Sequence, residues 1–122
     1  MALKRALIVD DSRSMRQMVS FTLQQAGFEW VEAENGKDAL DKLRGQKFGV
    51  IITDLNMPVL DGIGFIRQAR QTAEARFLPI LILTTESQQE KKLEAKAAGA
   101  TGWIVKPFEP DKLMQTIGKV MG

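Results

Sequence analysis

The chain of 122 residues contains no cysteine, no histidine and no tyrosine. Without cysteine it has no disulfide framework and no thiolate metal site. Without histidine it lacks the commonest general base and the commonest zinc ligand, and it cannot itself carry a phosphohistidine. An excess of one charge sign is missing too. Its 17 Lys and Arg face 15 Asp and Glu, a net +2 that is too small to argue for nucleic acid. From Glu86 onward the lysines are interspersed with acids, as on a solvated mixed face. No apolar run is long enough for a signal peptide or a membrane span. A cytoplasmic protein without membrane or nucleic-acid partners fits these absences, and a monomer is the default expectation.

What is present is an ordinary globular composition, 44% apolar and 26% charged. The length suits one domain, residues 1–122, with no room for an output domain. Short apolar runs alternate with helical periodicity throughout. Ala6–Val9, Trp30–Ala33, Phe48–Thr53, Pro79–Leu83 and Gly102–Val105 read as strands. Met15, Met18, Val19, Thr22, Leu23 and Ala26 recur at helical spacing before Gly27. Asn35-Gly36 turns into a helix with Ala39, Leu40 and Leu43 inward. Asp61 suits the N-cap of a helix burying Phe65, Ile66, Ala69 and Ala73. Ser87 and Glu90 have capping-box spacing for a helix that ends near Gly99. Pro110 suits the first turn of a last helix with Leu113, Met114, Ile117, Val120 and Met121 inward. Five βα units with right-handed crossovers give an α/β fold, a doubly wound (βα)5 parallel sheet with helices on both faces.

Four of these strands stop at reactive groups. Asp10 and Asp11 follow the first, Asp54 the third, Thr84 the fourth and Lys106 the fifth. Ligands of open α/β sheets bind beyond the carboxyl ends of the strands, where these groups would meet. Three crowded carboxylates repel one another, and a divalent cation relieves that cost. A hard, all-oxygen site suits Mg2+, with the backbone carbonyl of Asn56 able to complete the inner shell. Lys106 and Thr84 would be idle around a structural cation. They make sense if a phosphoryl group sits on an Asp54 oxygen, with its other oxygens on the cation, Lys106 and Thr84.

The chain resembles the receiver domain of two-component response regulators, and within them the stand-alone chemotaxis regulators of the CheY type. The resemblance spans essentially the whole chain. It rests on V-D-D at 9–11, D-L-N-M-P at 54–58, D-G at 61–62, T-T-E at 84–86, A-G-A at 98–100 and G-W-I-V-K-P-F at 102–108. It implies the flavodoxin-like strand order 2-1-3-4-5. It implies that Asp54 is the phosphoacceptor, charged by a chemotaxis-type histidine kinase or a small phosphodonor. Asp11, Asp54 and the Asn56 carbonyl would bind one Mg2+ directly, and Asp10 partly through water. Lys106 would pair with Asp54 and then with the phosphoryl group, which Thr84 would swing in to meet. Trp103 stands where the family often has a switching aromatic, and Lys106-Pro107 looks like its cis peptide. Asn56, Thr85 and Glu86 would tune the acyl-phosphate lifetime. Thr85 departs from the commoner alanine or glycine, which leaves open whether a phosphatase acts.

The implied job is a diffusible switch that binds the flagellar motor switch protein when phosphorylated, rather than an enzyme acting on a separate substrate. The alternative is a phosphate sink or phosphorelay intermediate that drains the kinase. A magnesium-dependent phosphatase would want an acid at position 56 and a capping insertion. A flavodoxin-like cofactor binder would want a Gly/Ser/Thr-rich loop where Asp10-Asp11 stands. Blander readings stand beside the sharp ones. Thr84 can bond a nearby backbone group, and Trp103 can be packing. Trp30 reads as packing, Met15, Met18, Met114 and Met121 as core, and Lys91, Lys92 and Lys96 as a solvated face. Arg13, Met15 and Met18 are candidate kinase contacts.

Overall fold

The computed structural model describes residues 3–122. Its strands are β1 (Arg5–Val9), β2 (Glu29–Ala33), β3 (Val50–Thr53), β4 (Ile80–Thr84) and β5 (Gly102–Val105). Its helices are α1 (Arg13–Gln25), α2 (Gly36–Leu43), α3 (Gly62–Ala69), α4 (Gln89–Ala98) and α5 (Pro110–Met121). All four strand pairings are parallel, in the order β2-β1-β3-β4-β5.

The inner strands are continuous apolar runs because both faces are covered. Alternation along β1 sends Leu7 and Val9 to one core and Ala6 and Ile8 to the other. Leu7 and Val9 join Ile51, Ile80 and Ile82 beneath α2, α3 and α4, where Leu43, Phe65, Ile66 and Ala95 close the layer. Ala6 and Ile8 join Val50, Ile52, Leu81 and Leu83 beneath α1 and α5, closed by Val19, Leu23, Leu113 and Ile117.

The helix ends follow local chemistry. Asn35 and Asp61 cap α2 and α3, accepting from the N–H groups of Asp38 and Gly64, each at 2.8 Å. Gly99 ends α4 at φ +119°, a left-handed cap that a side chain would strain.

Three expectations need correction. The capping box at Ser87 does not form: α4 starts at Gln89, with Gln88 in the cap position and no side-chain cap. The Thr84 hydroxyl takes the Glu86 N–H and the Glu86 carboxylate takes the Gln88 N–H, and the chain enters the helix only after Gln88, which is extended. Ala73 is exposed and Ala75 is buried in its place. The Arg70 guanidinium binds the carbonyls of Ala75 (2.8 Å) and Leu78 (2.6 Å), folding the chain back just after α3 ends. Met18 is 52% exposed, so it is not core. Its carbonyl accepts the Thr22 hydroxyl, and Val19, Ser20, Thr22 and Leu23 are the buried positions of α1.

Candidate functional site

The sheet's own ladder delivers the site. Beyond the strand ends, Asp10 N–H donates to the Ala33 carbonyl at 3.1 Å and Asp54 N–H to the Val9 carbonyl at 2.9 Å. Lys106 N–H donates to the Thr84 carbonyl at 2.7 Å. Each charged residue is thus pinned by the neighbouring strand, so strand register places its side chain. One carboxylate oxygen from each of Asp10, Asp11 and Asp54 lies within 4.8 Å of the others. Gly62 lets α3 start hard against this edge: a Cβ there would lie 2.3 Å from the Asp54 carbonyl oxygen.

Lys106 reaches into the cluster. Its Nζ is 2.8 Å from Asp10 Oδ2 and 3.2 Å from Asp54 Oδ2. The shorter contact is to Asp10, so the lysine bridges two carboxylates rather than pairing with Asp54 alone. The remaining oxygens are also engaged. Asp54 Oδ1 accepts from Leu55 N–H at 2.7 Å, and Asp10 Oδ1 from Ser12 N–H at 2.9 Å. Asp10 and Asp54 are buried, whereas Asp11 is exposed and forms no ion pair among the described residues.

Burial pushes the Asp10 carboxyl above the usual carboxylate range, and the Lys106 and Ser12 contacts only partly oppose it. For Lys106 burial acts downward, but the hydrogen bond and charge of Asp10, with those of Asp54, outweigh it. Its ammonium is therefore held above its ordinary value. The donor set fits a hard cation: oxygens only, two carboxylates buried and one open to water.

Thr84 is buried at the end of β4, with its hydroxyl accepting from Glu86 N–H at 3.2 Å. Asn56 and Thr85 are exposed and Glu86 is half-buried. The Lys106-Pro107 peptide is cis. Trp103 packs against the α2/α3/α4 core with Lys92 5.8 Å from its ring centroid, and its buried indole N–H meets no acceptor among the described residues. Lys92 is therefore not simply a solvated charge.

Two contributors escaped the sequence reading. Ser12 caps α1 by accepting from Met15 N–H at 3.3 Å. Its signal was available, a serine just ahead of the helical apolar pattern. Arg16 donates to the Asp10 carbonyl at 2.6 Å. No pattern announces that contact, which depends on how α1 lies over the sheet edge.

Residues 6–118 match the model of the response regulator receiver domain. The chain belongs to that family. This receiver is 38% identical over 117 residues to chemotaxis protein CheY-3 of Vibrio cholerae serotype O1, covering 95% of this chain and 90% of that one. It superposes on the structure of the chemotaxis response regulator CheY4 of Vibrio cholerae with a TM-score of 0.91 at 52% identity, over 97% of this chain and 98% of that one. The receiver domain of the sensor histidine kinase PA1611 from Pseudomonas aeruginosa, described with a magnesium ion coordinated in its active site cleft, gives a TM-score of 0.91 at 26% identity, covering 99% of each chain. The protein is thus a CheY-type receiver with an acidic pocket at the carboxyl edge of its sheet. No helix among the described residues is long and apolar enough to cross a membrane.

Proposed function

We propose that this receiver takes a phosphoryl group on Asp54 from a chemotaxis-type histidine kinase in the cytoplasm. Carrying it, the receiver binds the flagellar motor switch protein. The observation that carries the reading is the bridging of Asp10 and Asp54 by Lys106 beside the open Asp11 carboxylate. A carboxylate oxygen of Asp54 attacks the phosphorus of a phosphohistidine. The P–N bond breaks, imidazole leaves with the electron pair, and an acyl phosphate forms. Lys106 pairs with Asp54 and then balances the charge gathering on the phosphoryl oxygens. The Leu55 N–H fixes one Asp54 oxygen and so aims the carboxylate.

Asp11, Asp54 and the Asn56 carbonyl, with Asp10 behind, are the residues to hold Mg2+, which when bound would neutralise charge on the transferring group. The magnesium described for the PA1611 receiver supports that choice of metal. Thr84 has a hydroxyl proton free to donate to a phosphoryl oxygen once it gives up the Glu86 N–H. Asn56, Thr85 and Glu86 line the approach of water to the acyl phosphate and set its lifetime. The chemotaxis names of CheY-3 and CheY4 support the kinase and motor as partners.

The test has two stages. Incubation with a small phosphodonor and magnesium should add one phosphoryl mass to the chain and none to Asp54→Asn. An equal increment on the variant would remove Asp54 from the role. A peptide from the N-terminus of the flagellar switch protein is then titrated with and without beryllofluoride. Tighter binding with beryllofluoride supports the motor switch. Equal weak binding beside a beryllofluoride-dependent Trp103 signal would instead make the receiver a phosphate sink or relay.

A further inference from the structure

A polar chain outside the acidic pocket runs from the edge strand to the backbone of Asp10. Trp30 and Glu32 lie two residues apart on β2 and so share one face of the sheet. The Trp30 indole N–H donates to Glu32 Oε2 at 3.3 Å. Arg16 Nε donates to Glu32 Oε1 at 3.0 Å, and Arg16 Nη1 donates to the Asp10 carbonyl at 2.6 Å. The Arg16 side chain is only 15% exposed.

We infer that Arg16 is a positioning residue for the acidic cluster, oriented by Glu32 and linked through it to Trp30. The inference rests on the magnesium-binding reading above. The carbonyl of Asp10 shares a rigid peptide plane with the N–H of Asp11. Fixing that carbonyl fixes the direction in which Asp11 leaves the strand. This matters because Asp11 is the carboxylate with no cation of its own among the described residues, and repulsion from Asp10 and Asp54 drives it outward. Asp10 is then held at every polar atom: its N–H by Ala33, its carbonyl by Arg16, and its two carboxylate oxygens by Ser12 and Lys106. Glu32 pairs with the guanidinium at 3.0 Å and weakens its field at the cluster, which leaves the contact to the Asp10 carbonyl as what Arg16 supplies.

For Arg16→Met, geometry and field predict opposite signs. Removing a positive charge near the cluster would tighten magnesium binding if charge were all that mattered. Loss of a positioning contact outside the metal ligands typically weakens metal affinity by about 10- to 100-fold. Magnesium binding is measured by calorimetry on the parent, Arg16→Met and Glu32→Gln, with urea unfolding to confirm that each is folded. About tenfold weaker binding in Arg16→Met, and a smaller loss in Glu32→Gln, is expected. Unchanged or tighter binding in Arg16→Met overturns the inference. Should Arg16→Met not fold, Arg16→Lys takes its place: it keeps the charge and loses the paired contacts to Glu32 and Asp10, so unchanged affinity there overturns the inference. No binding to the parent overturns the magnesium reading itself. In a Trp103→Phe background Trp30 is the one remaining indole. Its emission should follow magnesium in the parent and lose that response in Glu32→Gln. Emission unmoved in the parent overturns the link to Trp30.

Discussion

Replacing Asp11 by asparagine should make the metal-free protein more stable and the magnesium-loaded protein less so. Asp11 offers an oxygen within 4.8 Å of oxygens of Asp10 and Asp54, and Asp11 has no ion pair of its own among the described residues. Two unit charges at that distance repel by about 0.9 kcal/mol in water and about 3.5 kcal/mol at an effective dielectric of 20. Asp11 is exposed, so the lower figure applies to each of its two neighbours, and the Lys106 ammonium that bridges them offsets about one of the two. Screening at physiological salt roughly halves the remainder, leaving about 0.5 kcal/mol. For a domain of this size that is a rise of about 2 °C in melting temperature in EDTA. Magnesium at a hundred times its dissociation constant should stabilise the parent by about 2.7 kcal/mol and Asp11→Asn far less. The two melting curves therefore change order between EDTA and magnesium. Asp11→Asn melting below the parent in EDTA would show that the acid stabilises the fold locally rather than opposing its neighbours. Equal magnesium shifts in both proteins would place the cation elsewhere.

Gly62→Ala should cost about 1–3 kcal/mol in urea unfolding, since its Cβ would meet the Asp54 carbonyl oxygen and the Leu55 Cα, both backbone atoms that cannot swing aside. A neutral result would mean that α3 shifts freely against β3. Val59 holds φ +70° although it is β-branched and 76% exposed. Val59→Asn should therefore gain about 1 kcal/mol by relieving strain, and a loss in urea unfolding would show that the valine is anchored. Asp10, with its folded pKa raised, is destabilised by ionising. The metal-free parent should lose stability relative to Asp10→Asn as pH climbs from about 4 through that raised value, and a difference flat with pH would contradict it. Lys106 carries the matching alkaline signature. Its raised folded pKa contributes stability that is complete below about pH 10.4 and lost as pH rises through the folded value. Lys106→Met should show no such loss.

Much of this was legible because the inner strands are buried on both faces, which makes Leu7, Val9, Ile51, Ile52 and Ile80 to Leu83 stand out as unbroken apolar runs. Once the strands are found, parallel pairing brings Asp10, Asp54, Thr84 and Lys106 to one edge without knowledge of any side-chain contact. Caps with local grammar, such as Asp61 and Gly99, were equally visible. The misreadings share a cause, competition from partners distant in sequence or hidden in the loop. Ala73 fits the α3 periodicity, yet Arg70 redirects the chain through carbonyls up to eight residues ahead. Ser87 and Glu90 have the right spacing, yet the turn bonds Glu86 N–H to Thr84 and Gln88 N–H to Glu86 form ahead of the helix, which starts only at Gln89. Arg16, Glu32 and Trp30 meet only because α1 packs beside β2, a contact that no one-dimensional period encodes.

The link between the acidic edge and the outer surface follows from the parity of two strands. Thr84 has the same alternation as Ile80 and Ile82, which face the α2/α3/α4 core, and Trp103 packs against that same core. Thr84 and Lys106 are joined through the main chain, Thr84 carbonyl to Lys106 N–H at 2.7 Å. On the proposed reading, a phosphoryl group that draws the Thr84 hydroxyl from the Glu86 N–H acts on the face where Trp103 lies. Typical allosteric couplings are about 1–3 kcal/mol, so a modest rearrangement of Thr84 and its β5 neighbours is enough to bias that face.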